Sequence, residues 1–420
     1  MSQNRKMVVE ITTQNKLTDE YIYTDIILPK PKLEIENALQ KARFQNDRYY
    51  DIQIYSCPSV PALAELRLDN PRMDELNFLA QRIDEMNEDE IIAYNGLIGY
   101  LNSEDKFEDI TEMIELIDMT YSLENIAVYR GIGSDEKLGE AVIDGEMEEY
   151  IKKMSDEEVE MLDRKKVGAM YREKTKGYFY NGCYVDLCEY DYLDIYDGVD
   201  LPADMKPEYG DGVFLIKVSK APQSDEESYK FSETAEWISL PMTDEEVCEC
   251  LKELGEEDMR NLAYYDFKSP FAGITDETFD SMDLFYELNN IAKGYTMLSD
   301  KEKLTFKAVM ENFEPDLEQV LDKLDNIGHY SLFPYIDSGD LYARMFLQVQ
   351  LPTNFDMRYL DGISFTGLGN KLMEKHSAEI TEYGLLADND RNIFDLVPYE
   401  DEGIKEDTEN TENTIGGMQI

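Results

Sequence analysis

Shifting the sequence by 212 positions lays it over itself. Leu28-Pro29 then meets Leu240-Pro241, Pro58 meets Pro270, Glu75-Leu76-Asn77 meets Glu287-Leu288-Asn289, and Ala80 meets Ala292. No gap is needed between residues 28 and 98, and like residues fill many of the other positions: Ile35/Val247, Tyr55/Phe267, Leu79/Ile291, Ile92/Leu304 and Leu97/Val309. A chain written twice in this way is constrained to fold into two similar halves, because each copy presents the same apolar pattern for burial. Leu76, Leu79, Ala80, Ile83 and Met86 recur at spacings of three and four, one face of a helix, and Leu288, Ile291, Ala292, Tyr295 and Leu298 repeat that face.

The repeat extends both ways. Phe107, Ile110, Ile114 and Ile117 predict a further helix, with Leu317, Val320, Leu324 and Ile327 as its counterpart. The runs MVVEI at 7–11 and FLIKV at 214–218 are short, β-branched and bounded by polar residues, as strands are. Late in each copy Lys166-Val167-Gly168 resembles Gly367-Leu368-Gly369, and Tyr180-Asn181-Gly182 resembles Glu382-Tyr383-Gly384. The first copy is placed at 6–205 and the second at 213–397. Residues 398–420 are polar, acidic and low in complexity, and are expected to form a disordered tail. Short strands mixed with short helices predict an α+β fold, an elongated string of small α+β units that is internally duplicated.

Charge decides what such a chain can meet. Asp and Glu number 91 against 40 Lys and Arg, a formal net charge of −51. That equals the phosphates of ~26 base pairs of duplex DNA. It excludes direct nucleic-acid binding and anionic membranes, and it favours partners that bind them. Disorder is not the reason for the charge, since 42% of residues are hydrophobic, with 29 Tyr and 17 Phe. No run of ~18 apolar residues is present to span a membrane. The start of the chain lacks the apolar stretch of a signal peptide, and Cys57, Cys183, Cys188, Cys248 and Cys250 form no paired pattern. The expectation is a cytoplasmic protein with reduced thiols and neither metal nor cofactor.

The densest acidic stretch runs from 186 to 211. Asp186, Glu189, Asp191, Asp194, Asp197, Asp200, Asp204, Glu208 and Asp211 recur every two to four residues, opposed only by Lys206. In extended chain at ~3.3 Å per residue that is a charge every ~7–13 Å. Phosphates along one strand lie ~6–7 Å apart. Such carboxylates can take the Lys and Arg of a DNA groove by charge-assisted hydrogen bonds. Further acidic clusters are Asp156, Glu157, Glu158 and Glu160; Asp244, Glu245 and Glu246; and Glu256, Glu257 and Asp258. Ser155 and Thr243 stand where helix N-caps would be, and acids in a first helical turn also favour the helix dipole.

The segment ELNFLAQRIDEMNEDEIIAYNGLI at 75–98 and the segment YSLENIAVYRGIGSDEKLGEAVI at 121–143 resemble the ArdA antirestriction family. Leu138-Gly139 and residues 163–168 occupy the places of that family's later motifs; the second copy has Leu341-Tyr342-Ala343 where Leu-Gly is expected. The resemblance implies a DNA mimic from a mobile genetic element that occupies the DNA site of type I restriction-modification enzymes. Family members are about half this length and dimerise into a curved rod. Two copies in one chain therefore imply either a pseudo-dimeric monomer or a homodimer that lengthens the rod.

Two other readings remain. An acidic scaffold, a decoy for another DNA-binding protein, shares the charge logic. An ADP-ribosyltransferase would need Tyr129-Arg130-Gly131, Ser364-Phe365-Thr366 and Glu400-Asp401-Glu402 as its three motifs. The two histidines, His329 and His376, lie in no catalytic pattern, and the chain is expected not to be an enzyme.

Overall fold

Alternating apolar and polar side chains in MVVEITTQ make the first strand, β1 (Met7–Gln14), whose Met7, Val9, Ile11 and Thr13 point inward. β2 (Tyr21–Leu28) and β3 (Tyr50–Ser56) flank it antiparallel in the order β2-β1-β3, and α1 (Lys32–Lys41) joins the two flanking strands. The computed structural model describes residues 5–15, 20–43, 50–103, 110–222, 225–313, 316–352, 355–360 and 362–388. It divides into two compact units, Met1–Ile327 and Gly328–Ile420. The proposed tail at 398–420 lies outside the described residues.

The first sheet shares one core with three helices, α2 (Met73–Glu85), α3 (Glu88–Leu101) and α4 (Met113–Tyr121). The predicted stripe is the buried face of α2: Leu76, Leu79, Ala80 and Ile83 are fully enclosed and Met86 nearly so. Burying each of the larger side chains contributes roughly 1.5–3 kcal/mol. Asn87 caps α3 and Glu90 reaches back to the Asn87 N–H at 2.7 Å, a reciprocal box that separates α3 from α2. The helix expected from Phe107 begins instead at Met113. The Asp69 N–H bonds the Thr111 carbonyl at 2.8 Å, which holds the chain extended there. Ile110 is still buried, ahead of the helix, and Phe107 lies outside the described residues.

A second small layer follows: β4 (Ala127–Arg130), α5 (Asp135–Asp144), α6 (Asp156–Glu160), α7 (Arg164–Thr175), β5 (Tyr178–Tyr180) and β6 (Cys183–Asp186), with strand order β4-β6-β5. Here α5 and α7 touch backbone to backbone. A Cβ on Gly139 would sit on the Arg164 carbonyl, and one on Gly168 on the Asp135 carbonyl.

The rest of the first unit contains β7 (Phe214–Lys220), α8 (Asp225–Thr234), β8 (Glu236–Leu240), α9 (Asp244–Leu254), β9 (Leu262–Lys268), α10 (Phe285–Met297), α11 (Asp300–Glu311) and α12 (Leu317–Asp325). The second unit holds β10 (Tyr330–Phe333), α13 (Gly339–Gln350), α14 (Phe365–His376), β11 (Ala378–Thr381) and β12 (Gly384–Asp388) around Phe333, Tyr342, Leu372 and Leu385.

Strand order β8-β7-β9 has the pattern of β2-β1-β3, and β10-β12-β11 that of β4-β6-β5. Leu28-Pro29 and Leu240-Pro241 are both cis. The shared ELN triplet explains itself here. Asn77 accepts the Lys30 N–H at 2.8 Å and donates to the Lys30 carbonyl at 2.9 Å; Asn289 does the same to Met242 at 2.8 and 3.0 Å. Each asparagine thus pins the chain just beyond a Leu-Pro onto its helix.

The late turns align differently from the expected pairing. Asn181 and Gly182 are both left-handed (φ 47° and 75°) and form the two-residue turn between β5 and β6. In the second unit Glu382-Tyr383 make the turn and Gly384 already faces Thr381 in the ladder, so Gly384 corresponds to Cys183. A side chain at Gly384 would strike the Phe333 carbonyl.

Within the first unit, α1 is the joint between the copies. Asn37 Nδ2 donates to the Pro270 carbonyl at 2.5 Å, and Lys307 Nζ donates to Gln40 Oε1 at 2.7 Å.

Candidate acidic surface

Between β6 and β7 the chain forms almost no regular structure, yet it is sewn to α2 and α4 along its length. Asp118 on α4 is fully buried. Its Oδ1 accepts the N–H groups of Ile195 and Tyr196 at 3.1 and 2.8 Å, and its Oδ2 accepts the Tyr192 hydroxyl at 2.7 Å. Three donors are what a carboxylate needs to remain inside a protein. Ser122 accepts the Leu193 N–H at 3.0 Å. The buried Tyr196 hydroxyl donates to Glu75 Oε1 at 2.8 Å and receives Arg72 Nη2 at 2.9 Å, while Arg72 Nη1 holds the Gly198 carbonyl at 3.0 Å. Farther on, the fully buried Gln81 takes the Lys206 N–H at 2.9 Å and gives to the Asp204 carbonyl at 3.0 Å. The segment is a strap fixed from 192 to 206.

The strap sorts its nine acids. Asp186 closes β6 in the interior, 8% exposed, and accepts the Cys188 N–H at 2.9 Å; burial raises its pKa. Its carboxyl group lies in the interior, not on the surface offered to a partner. Asp204 is tied to Tyr121 at 2.7 Å and Arg82 at 3.2 Å. Exposed Asp197 folds back on the Val199 and Asp200 N–H groups at 2.9 and 3.2 Å, which lowers its pKa. Glu208 is half-buried, and Asp211 is exposed, 3.9 Å from Lys32. Glu189, Asp191, Asp194 and Asp200 are exposed, and their carboxylates have no hydrogen bond or ion pair among the described residues. Tyr192, Leu193, Ile195 and Val199, between 41% and 67% exposed, lie among them. Asp194 and Asp200 lie within the anchored stretch, Asp200 just after the left-handed Gly198 (φ 83°), while Glu189 stands in the turn at 188–189 and Asp191 close beside it.

The other clusters serve helix ends. Ser155 caps α6 and Glu158 closes the box on the Ser155 N–H at 2.8 Å; Asp156 and Glu157 fill the same first turn, and Glu160 is exposed at the last residue of α6. Thr243 caps α9, and Glu246 accepts its N–H at 2.6 Å, which lowers the Glu246 pKa; Asp244 and Glu245 share that turn. Glu256 pairs with Lys220 at 3.3 Å, and Glu257 is exposed. Asp258 grips Arg260 at 2.6 Å, which lowers its pKa to about 2.

Sequence pattern did not point to Asp118, Glu75, Gln81 or Arg72, which hold the strap. The usable signal was small: Glu75 and Gln81 are polar residues on the helix that carries the repeated apolar stripe.

Of the transferase motifs, Arg130 is engaged by Asp89 at 2.7 Å and Glu88 at 3.3 Å, and Ser364 caps α14 through the Gly367 N–H at 3.1 Å. Glu400-Asp401-Glu402 lie outside the described residues. No helix among the described residues is long and apolar enough to cross a membrane. No protein-family model matches the chain, and no curated protein matches it.

Proposed function

We propose that this protein is a DNA-mimicking antirestriction protein of the ArdA type, which occupies the DNA groove of a type I restriction-modification enzyme. The observation that carries the reading is the strap: the exposed, unpaired carboxylates of Asp194 and Asp200 on a segment anchored from below, with those of Glu189 and Asp191 directly ahead of it. A groove that binds DNA gains affinity by releasing phosphate counterions, and fixed carboxylates offer its Lys and Arg a substitute without prior ordering. The net charge of −51 and the ArdA-like segments support the same partner.

The test is competition. Purified protein should displace duplex DNA from the enzyme and inhibit cleavage, with an effect that weakens steeply as salt rises. Replacing these four free acids together by Asn or Gln should weaken inhibition by about tenfold or more, the equivalent of ~1.4 kcal/mol. Removing four charges elsewhere, at Asp156, Glu157, Asp244 and Glu245, should have a smaller effect. Full-rate cleavage in the presence of excess protein at low salt would refute the function. Equal losses in the two variants would remove the strap from it. The reading also takes the duplicated chain to be rod-like, with a radius of gyration clearly above the ~22 Å of a compact globule of this length. Small-angle scattering measures this directly.

A further inference from the structure

Beside the joint between the copies lies a cleft of about 290 Å³, at the small end of ligand-sized cavities. Its lining includes Glu36 and Gln40 of α1 and Tyr295, Asp300, Lys303 and Lys307 of α10 and α11. Two features of this lining are incomplete. Lys307 is 3% exposed and its ammonium makes one hydrogen bond, to Gln40 Oε1. An ammonium has three donors, so two are left without a protein partner. Tyr295 is 2% exposed, and its buried hydroxyl has no hydrogen-bond partner. The Tyr295 hydroxyl is enclosed away from the cleft, so Lys307 is the group that an occupant could complete.

The lining also carries both signs of charge. Lys303 and Lys307 are close enough for Lys303 to help lower the Lys307 pKa, while burial is the main cause. Glu36 and Asp300 both act on Tyr295, whose pKa is raised chiefly by burial. A simple anion would meet three carboxylates, Glu36, Asp300 and Asp211, and a simple cation would meet the two ammonium groups. A molecule with a carboxylate and an ammonium a few bonds apart satisfies both.

We propose that this cleft binds a free α-amino acid, with its carboxylate on Lys307 and Lys303 and its ammonium towards Glu36 and Asp300. Bound there, the ligand bridges α1 of the first copy and α10 and α11 of the second, and so stiffens the joint. Nothing in this depends on what the acidic strap binds.

The experiment is a titration of the isotope-labelled full chain with each common α-amino acid, and separately with acetate and with methylammonium, followed by amide chemical shifts. At least one amino acid should produce saturable shifts at Gln40, Thr296 and Lys303, and neither acetate nor methylammonium should reproduce them. Lys303→Gln, on a half-exposed side chain, should weaken that binding by about tenfold with the fold intact, and Lys307→Met should abolish it. If no amino acid binds by about 10 mM, the proposal fails. It also fails if acetate binds as well as the best amino acid, or if both variants bind like the parent.

Discussion

Asp118 shows how a single side chain places a surface it never joins. Its partners Tyr192, Ile195 and Tyr196 lie 74 to 78 positions along the chain. Asp118→Ala leaves two backbone N–H groups and a hydroxyl without their acceptor, and should cost roughly 2–4 kcal/mol. Hydrogen exchange should accelerate at 192–197 while β1 stays protected; unchanged protection of the strap would show that it is held by something else. Lys307 offers a second test. Burial lowers its pKa from 10.5 to about 8. Between those two values the unfolded chain binds more protons than the folded one, so this residue's contribution to stability improves as pH rises through that window, by roughly 3 kcal/mol in total. The many tyrosines titrate in the same range, so the measurement is the stability difference between the parent and Lys307→Met at pH 7 and pH 10. A difference independent of pH would mean that Lys307 is not desolvated. These roles were illegible in the sequence for a physical reason. A buried Asp or Lys on a helix looks like a solvated one until its distant partners are known, whereas the apolar faces of α2 and α10 declare themselves by local spacing.

At the level of elements, α5 and α7 depend on glycine at their crossing. Gly168→Ala has two opposed effects. Alanine favours the helix by about 1 kcal/mol. Its Cβ would overlap the Asp135 carbonyl, a backbone atom that cannot rotate away. Displacing one helix should outweigh the propensity gain, for a net loss of roughly 1–3 kcal/mol in chemical denaturation. An unchanged or higher midpoint would show that the two helices can slide apart freely. The sequence marks these glycines as repeated, Lys166-Val167-Gly168 beside Gly367-Leu368-Gly369, without saying why. In α14, Gly369 meets the Gly339 carbonyl of α13 in the same manner. The late turns differ in register by one residue from the pairing that an aromatic and a glycine suggest. Asn181-Gly182 adopt left-handed conformations that Glu382-Tyr383 replace by other means, with the Tyr383 N–H held by Thr381 Oγ1 at 3.2 Å. The acidic clusters at α6 and α9 were legible as caps, because a Ser or Thr three residues before Glu is a local signal.

For the whole molecule, the mixed α and β composition and the recurring strand orders follow from the repeat, which needs no partner information to be seen. The use of the charge is less legible, since 91 acids do not reveal which four stand free on the strap or directly ahead of it. Their mutual repulsion has a general consequence. Net charge this far from zero opposes compaction, and salt relieves it. Raising ionic strength from about 0.02 to about 0.3 M shortens the screening length severalfold, and should raise the melting temperature at pH 7. A melting temperature that ignores salt would mean that local pairing has already cancelled the repulsion.

The joint at α1 has a direction. Asn37 and Gln40 of the first copy meet Pro270 and Lys307 of the second. The repeat equivalents of those residues are Glu249 and Lys252 on α9, and Pro58 and Asn95 in the first copy. Glu249, Lys252 and Pro58 are all exposed, so the reciprocal contact is not made. The joint is therefore head-to-tail, the kind of contact that extends without limit when both of its faces persist at the ends. Here neither end can be reused. Glu249 cannot donate to a proline carbonyl as Asn37 does, and Asn95 is buried, with its NH2 group spent on Ser59 and Ile91. Divergence between the copies has left this joint with no second pair of matching faces.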